Sequence, residues 1–270
     1  CTGLECSGIR GGFWNSVAIV VPSTVLSIAI GAVNGYALSF WRPRGAGFLL
    51  TGTITTLQED ADFVIDVADD ALVVGGSIKL LGAGTDLVIK SDRSVHWQGE
   101  AEVHGNITLE GRGSQPAGSP LDGSSVYLHA ASTLSSAMAG TSISISGRDD
   151  VEIHGTVIAG GVRGSSGIEW LGPDSQVTIQ AGQQIVVNNA VAAAKSVRLL
   201  TTGGPAADDD GIAVRLDTAA GLTAAGWTSD DSGGLVEVRA VGHAVFGGMV
   251  GHMLEQAAQL RMQARAEAQA

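Results

Sequence analysis

The segment 141–161, TSISISGRDDVEIHGTVIAGG, contains the pattern that decides the fold. Two apolar-x-apolar pairs, Ile143/Ile145 and Val151/Ile153, begin eight residues apart and are separated by a glycine and charged residues. Apolar and polar residues that alternate over a few positions are typical of a β-strand with one buried face. Glycine and short polar residues favour tight bends. The segment therefore predicts short strands joined by corners.

Pairs of this kind recur between residues 87 and 238. They are Leu87/Ile89, Ile107/Leu109, Val126/Leu128, Ile143/Ile145, Val177/Ile179, Val197/Leu199, Val214/Leu216 and Val236/Val238. Successive pairs start 17–22 residues from one another, except for one step of 34 residues that is interpreted as two steps of 17. Stacked turns of such a length share one column of aliphatic side chains. The spacing predicts a mainly β fold, a right-handed parallel β-helix (solenoid).

A β-sandwich also has short strands at regular intervals and is the alternative. A sandwich has no reason to keep a nearly constant period, so the spacing favours the solenoid. Two decapeptides, EVHGNITLEG at 102–111 and EIHGTVIAGG at 152–161, indicate internal duplication. In that alignment His104 and His154 occupy equivalent positions of the repeat.

The chain before residue 47 has a different character. From Gly11 to Trp41 there are 31 residues without a charged side chain, more than the ~20 apolar residues that cross a bilayer. We expect one hydrophobic transmembrane-type α-helix over residues 11–41, with a buried helix of a soluble protein as the alternative. The predicted domains are 1–46, this helix with its flanks; 47–250, the β-solenoid; and 251–270, a short C-terminal helix or a tail.

The N-terminal motifs FWNS, VPSTVLS and GAVNGYALSFWR lie within residues 1–46. This segment resembles the membrane permease subunits of carbohydrate ABC importers. The resemblance implies one transmembrane helix taken from a bundle of several. No second apolar run of spanning length follows Ala46, and one helix cannot form a translocation path. The resemblance therefore implies that this segment shares ancestry with the permeases, and not that the chain transports a substrate. The alternative for the whole chain is a fragment of such a permease.

The units TSISISGRDDVEIHGTVIAGG and SQVTIQAGQQIVVNN resemble the rungs of filamentous haemagglutinin-like exoproteins, over residues 50–248. That resemblance implies a bacterial, membrane-anchored, surface-displayed or secreted protein with a non-catalytic structural or adhesive role. The expected partners are host surfaces, glycans or other surface proteins. The two halves look like a fusion or fragments of different proteins. A carbohydrate-active β-helix enzyme is the second alternative.

Charge and cysteine content narrow the classes of partner. The net charge is −12, and only three lysines are present. No basic cluster follows Arg44, so no nucleic-acid partner is expected. Cys1 and Cys6 both lie outside the β-rich region, and their spacing fits either a bridge or two free thiols.

Candidate chemical groups occur, but not in the spacing of known sites. The histidines are His96, His104, His129, His154, His243 and His252, and none lies in an HExxH motif. The acidic groups Asp69–Asp70, Asp149–Asp150, Asp208–Asp210 and Asp230–Asp231 suit solvated turns better than calcium ligation. We therefore expect no catalytic residue, no cofactor and no metal site, and so no enzyme. The long loops 111–125, 161–176 and 203–211 are where any binding is expected.

Overall fold

A computed structural model describes residues 13–25, 48–114, 124–165, 167–206, 211–230, 233–247 and 249–251. The chain divides into two compact units, Cys1–Ala46 and Gly47–Ala270.

In the first unit, residues 13–25 are helical and are named α1. Among the residues that the structure describes, no helix combines the length and the apolar character that crossing a membrane requires. The transmembrane helix predicted over 11–41 is thus not found in the described part, and residues 26–41 of that prediction lie outside it. Both cysteines and residues 252–270 of the predicted C-terminal helix or tail also lie outside the described residues, whereas Gly251 ends a strand.

The described part of the second unit is built from β-strands. Their bounds are β1 (Phe48–Leu50), β2 (Thr53–Thr56), β3 (Phe63–Val67), β4 (Ala71–Leu80), β5 (Leu87–Ser91), β6 (Val95–Val103), β7 (Ile107–Gly111), β8 (Ser124–Leu128), β9 (Thr133–Ser136), β10 (Ser142–Gly147), β11 (Asp150–Ile153), β12 (Thr156–Ala159), β13 (Gly161–Gly164), β14 (Gly167–Trp170), β15 (Gln176–Ala181), β16 (Ile185–Val187), β17 (Ala190–Ala193), β18 (Ser196–Thr201), β19 (Ile212–Leu216), β20 (Gly221–Ala224), β21 (Leu235–Arg239), β22 (His243–Phe246) and β23 (Met249–Gly251).

These strands stack as three ladders of parallel pairs. The first ladder has the order β3-β5-β7-β10-β15-β18-β21. The second contains β1, the first half of β4 and of β6, and then β8, β11, β16, β19 and β22. The third contains β2, the second half of β4 and of β6, and then β9, β12, β17, β20 and β23.

The chain passes from the first ladder to the second and then to the third, and one such passage is called a level. The chain then returns to the first ladder and begins the next level. This order repeats from β3 to β23. The predicted mainly β class with parallel sheets is confirmed, and the arrangement is compatible with a β-solenoid. The sandwich alternative requires antiparallel sheets, whereas the described pairs are parallel except for β13 with β14.

The inward positions of the ladders form one apolar core. Ile89, Leu109, Ile145, Ile179 and Leu199 are aligned in register along the first ladder and are all inaccessible to solvent. Burying each such side chain contributes about 1.5–3 kcal/mol. The pairs recognised in the sequence therefore mark the inner face of each strand.

The predicted period of 17–22 residues holds for only some levels of the stack. From one level of the first ladder to the next, Asp86 and Asn106 are separated by 20 residues, but Asn106 and Ser142 by 36 and Thr141 and Ser175 by 34. The regular steps arose because Val126/Leu128 and Val214/Leu216 belong to the second ladder. An alternating pair shows that a strand has an inner face, but not to which ladder the strand belongs.

The two decapeptides do not occupy the equivalent positions in the stack that their alignment predicted. His104 follows β6 at the corner between the third and first ladders, whereas His154 follows β11 at the corner between the second and third. Accordingly, Glu102 is in register with Ser135 in the third ladder, while Glu152 is in register with Tyr127 in the second. The two histidines are not structurally equivalent.

Glycines form the corner where β4 and β6 turn from the second ladder to the third. A Cβ atom on Gly99 would lie 2.5 Å from the carbonyl oxygen of Gly76, and one on Gly76 would lie 2.7 Å from the carbonyl oxygen of Gly52. Consecutive levels can approach this closely only when the side chain is a hydrogen atom.

Candidate functional site

Two features stand out on the outer faces of the second unit. The first is a group of aromatic rings on the second ladder, His96, Tyr127, His129 and His154, which we call the histidine–tyrosine cluster. His96 of β6 is in register with Tyr127 of β8. His129 and His154 are at the corners that follow β8 and β11. The parallel register thereby brings together rings that are far apart in sequence.

Tyr127 is the centre of the histidine–tyrosine cluster. Its ring centroid lies 4.6 Å from that of His129 in an edge-on arrangement, and 4.9 Å from that of His154 in a stacked one. The ring of His96 is stacked at 6.3 Å on the preceding level. These separations lie within the range in which aromatic rings attract one another.

Hydrogen bonds fix the outer rings of the cluster. Ser94 Oγ lies 2.8 Å from His96 Nε2 and donates to Asp70 Oδ1 at 2.6 Å. His154 Nε2 lies 3.0 Å from Glu152 Oε2. The amide oxygen of Asn188 lies 2.8 Å from His154 Nδ1 once the amide is oriented so that its nitrogen donates to Asp217. Carboxylates thus orient the two histidines at opposite ends of the cluster.

Burial shifts the protonation of the rings. His96 is 7% exposed, and burial lowers its pKa below 6.5, against the attraction of Asp70. Burial and the neighbouring His154 lower the pKa of His129. Burial and the charge of Glu152 raise the pKa of Tyr127. His96, His129 and Tyr127 are therefore held in their neutral forms near neutral pH.

The second feature is a groove on the third ladder, beside the β13–β14 hairpin. The hairpin is antiparallel and lies within the predicted long loop 161–176. The groove has a volume of about 200 Å³. Its polar lining comes from β4, β6, β9 and β13 and includes Ser77, Lys79, Glu100, Glu102, Thr133 and Arg163.

The groove contains both charges and hydroxyl groups. Lys79 Nζ lies 3.7 Å from Glu102 Oε2, and Arg163 Nη1 donates to Thr156 Oγ1 at 3.1 Å. Ser77 Oγ is buried and has no hydrogen-bond partner among the described residues. The arrangement offers donors and acceptors to a small polar molecule.

The other residues singled out in the sequence are dispersed. Asp69 pairs with Arg93 at 2.9 Å, and Asp149 accepts from Gln183 at 3.3 Å. His243 lies on β22 and is exposed. In the part of the chain that the structure describes, no three His, Cys, Asp or Glu side chains are placed to hold a metal ion. His252, Asp208–Asp210 and Asp231 lie outside that part, as do residues 115–123 and 207–210 of the predicted long loops.

The sequence patterns missed several residues of these two features. Tyr127, Glu152, Lys79 and Arg163 have no motif around them. Their only signal is position, since Tyr127 and Glu152 each fall between two inward apolar residues and so face outward. Recognising the cluster requires knowing which strands are stacked.

The chain matches no family model, no curated protein sequence and no solved structure. The fold therefore defines only a broad class, a mainly β chain of stacked parallel strands.

Proposed function

We propose that the second unit is a right-handed parallel β-helix and serves as a non-catalytic structural and adhesive segment of a bacterial surface or secreted exoprotein. One observation carries the proposal: the strands form three parallel ladders in register around one aliphatic core. A stack of this kind needs no bound ligand to be stable, because each level buries its inner face against the next. Its outer faces remain available to partners.

Rows of outward side chains support an adhesive role. Because the strands are stacked in register, the outward side chains of successive levels form rows. Oppositely charged side chains pair between levels along these rows, as in Lys90 with Glu110 and Arg198 with Glu237. Regularly spaced polar rows suit an extended partner such as a glycan or another surface protein. The net charge of −12 opposes polyanionic partners, nucleic acid included.

Under this proposal, residues 11–41 of the segment 1–46 are the part of the protein that contacts a membrane. The protein would then be anchored at the cell surface, or secreted after separation from that segment. Co-purification with a nucleotide-binding transport subunit would instead support the alternative of a permease fragment.

Binding and turnover of the full chain test the proposal. Purified full-length chain is applied to a glycan array and to intact host cells, and the glycans that retain it are then incubated with it. We expect saturable retention on host cells or glycans and no release of new reducing ends. Failure to bind any of these surfaces, or release of reducing ends, would contradict the adhesive, non-catalytic role.

Localisation is tested separately on bacteria that produce the full chain. We expect protease added outside intact cells to degrade the chain, or the chain to be found in the medium. Full protection in intact cells, with degradation only after lysis, would contradict a surface or secreted location. An untagged cytoplasmic enzyme serves as the control for cell integrity.

A further inference from the structure

We propose that the groove beside the β13–β14 hairpin binds one neutral sugar unit. The inference rests on the proposed function, because it supplies the contact through which an adhesive segment recognises a glycan. It depends on the lining of the groove, its charge balance and its size.

Ser77 contributes a buried hydroxyl group to the lining of the groove. Ser77 lies just after the bend in β4, where its N–H donates to the carbonyl oxygen of Gly52 at 2.9 Å. Its Oγ is buried and has no partner among the described residues. Buried polar atoms are nearly always hydrogen-bonded. A ligand hydroxyl in the groove would satisfy this one.

The charged side chains of the groove retain hydrogen-bonding capacity. The 3.7 Å between Lys79 Nζ and Glu102 Oε2 is longer than the ~2.7–2.9 Å of a charge-assisted hydrogen bond. Both groups can therefore bind a ligand lying between them. Glu100 precedes Glu102 by two positions on β6 and belongs to the same wall.

The charge balance favours a neutral ligand. Lys79 and Arg163 supply two positive charges, and Glu100 and Glu102 supply two negative ones. The whole chain has a net charge of −12, so an anion gains nothing from the surrounding field. Interleaved donors and acceptors match a polyhydroxylated molecule, since each sugar hydroxyl both donates and accepts.

The size of the groove limits the ligand to one ring. Its volume of about 200 Å³ is smaller than the ~300–1,000 Å³ of pockets that enclose drug-sized ligands. Val162 of the hairpin provides an apolar patch for the C–H face of a sugar. A longer glycan would place one unit here and extend along the outer face of the third ladder.

Titration of the full chain with free monosaccharides tests the site. The probes are galactose, glucose, mannose and N-acetylglucosamine, with galacturonate and glucuronate as anionic counterparts, measured by ligand-observed NMR and calorimetry. We expect at least one neutral sugar to bind more tightly than both uronates. Binding of none of the neutral sugars, or tighter binding of a uronate, would overturn the proposal.

Substitutions place the binding. Lys79→Gln and Ser77→Ala are each expected to weaken the sugar about tenfold. The matched control is Lys90→Gln, because Lys90 forms the same kind of pair with Glu110 at 3.5 Å but lies on the first ladder, away from the groove. Circular dichroism confirms that all three variants are folded. Unchanged affinity in both groove variants would overturn the proposal.

The same variants separate this proposal from the proposed function. If the full chain binds host cells or immobilised glycans and Lys79→Gln binds them equally well, the groove proposal fails and the adhesive role stands. If free sugar binds in the groove but no surface retains the chain, the adhesive role fails and the sugar site stands.

Discussion

The ring of His154 is stacked on the ring of Tyr127, with centroids 4.9 Å apart and an angle of 28° between the planes. The two residues are on neighbouring levels of the second ladder, and Oε2 of Glu152, which is in register with Tyr127, lies 3.0 Å from His154 Nε2. Like the ion pairs between levels, these stacked rings join outward side chains of neighbouring levels. They add side-chain contacts to the backbone hydrogen bonds of the ladder.

We expect the histidine–tyrosine cluster to make the fold sensitive to acid. Burial lowers the pKa of His96 and of His129 below 6.5, although Asp70 and Glu152 oppose the shift at His96. As the pH falls below 6.5, the unfolded chain binds protons that the folded chain resists, so the free energy of unfolding decreases. The loss ends once the pH is below the pKa values of the folded chain.

Urea unfolding at pH 7.5 and 5.5 measures this loss in the full chain. We expect His96→Gln to reduce the difference in the free energy of unfolding between the two pH values more than the control His104→Gln, which lies outside the cluster. NMR titration of the histidine ring protons should place His96 and His129 below 6.5. Titration of both at or above 6.5 would contradict the prediction.

Gly99→Ala is expected to destabilise the corner between the second and third ladders. The new Cβ atom would lie 2.5 Å from the carbonyl oxygen of Gly76, which is backbone and cannot swing aside. Forcing an extra methyl group into a packed site costs about 1–3 kcal/mol. Chemical denaturation provides the measurement.

The control for the corner is Gly204→Ala. Gly204 has nothing within 4 Å of its ideal Cβ position, so its substitution should change the free energy of unfolding by less than about 0.5 kcal/mol. Equal losses at Gly99 and Gly204 would show that the close approach at the corner is not what limits residue size.

The alternation of apolar and polar residues predicts which side chains of a strand face the core. Ile143 and Ile145 are fully buried, as their alternation predicts, because a strand with one inner face must alternate. The same alternation does not show to which of the three ladders a strand belongs. Val126 and Ile107 belong to alternating pairs of the same kind but lie on different ladders, because the chain moves from the first ladder to the second between β7 and β8.

The candidate sites were less accessible to prediction than the fold. The rings of the histidine–tyrosine cluster come from three levels, so their proximity depends on turn lengths that the sequence does not show. The groove depends on the β13–β14 hairpin, which contributes Arg163 to the same lining as Lys79. The sequence predicts a long loop over 161–176, but no local pattern predicts that this segment forms a hairpin beside the third ladder.

Ile145→Ala should open a cavity in the core of the stack. Ile145 is inaccessible to solvent and lies between Leu109 and Ile179 of the neighbouring levels. Loss of such a side chain costs about 2–5 kcal/mol. Val64→Ala is the control, because Val64 is on the same ladder but is 60% exposed. Similar losses at both positions, measured by urea unfolding, would contradict the assignment of inner and outer faces.

Trp97→Phe tests the polar contact inside the core. Trp97 is fully buried in β6, and its Nε1–H donates to the carbonyl oxygen of Gly99 at 2.8 Å. Phenylalanine keeps an aromatic ring but removes this hydrogen bond to the buried carbonyl, and the loss of one such bond costs about 0.5–1.5 kcal/mol. Denaturant unfolding measures the loss, and Trp227→Phe, at a position 44% exposed, is the matched control.

In the native protein, Trp97→Phe should also remove the most blue-shifted part of the tryptophan emission, because Trp97 is shielded from water. An unchanged emission maximum together with unchanged stability would show that Trp97 does not occupy this buried, hydrogen-bonded position.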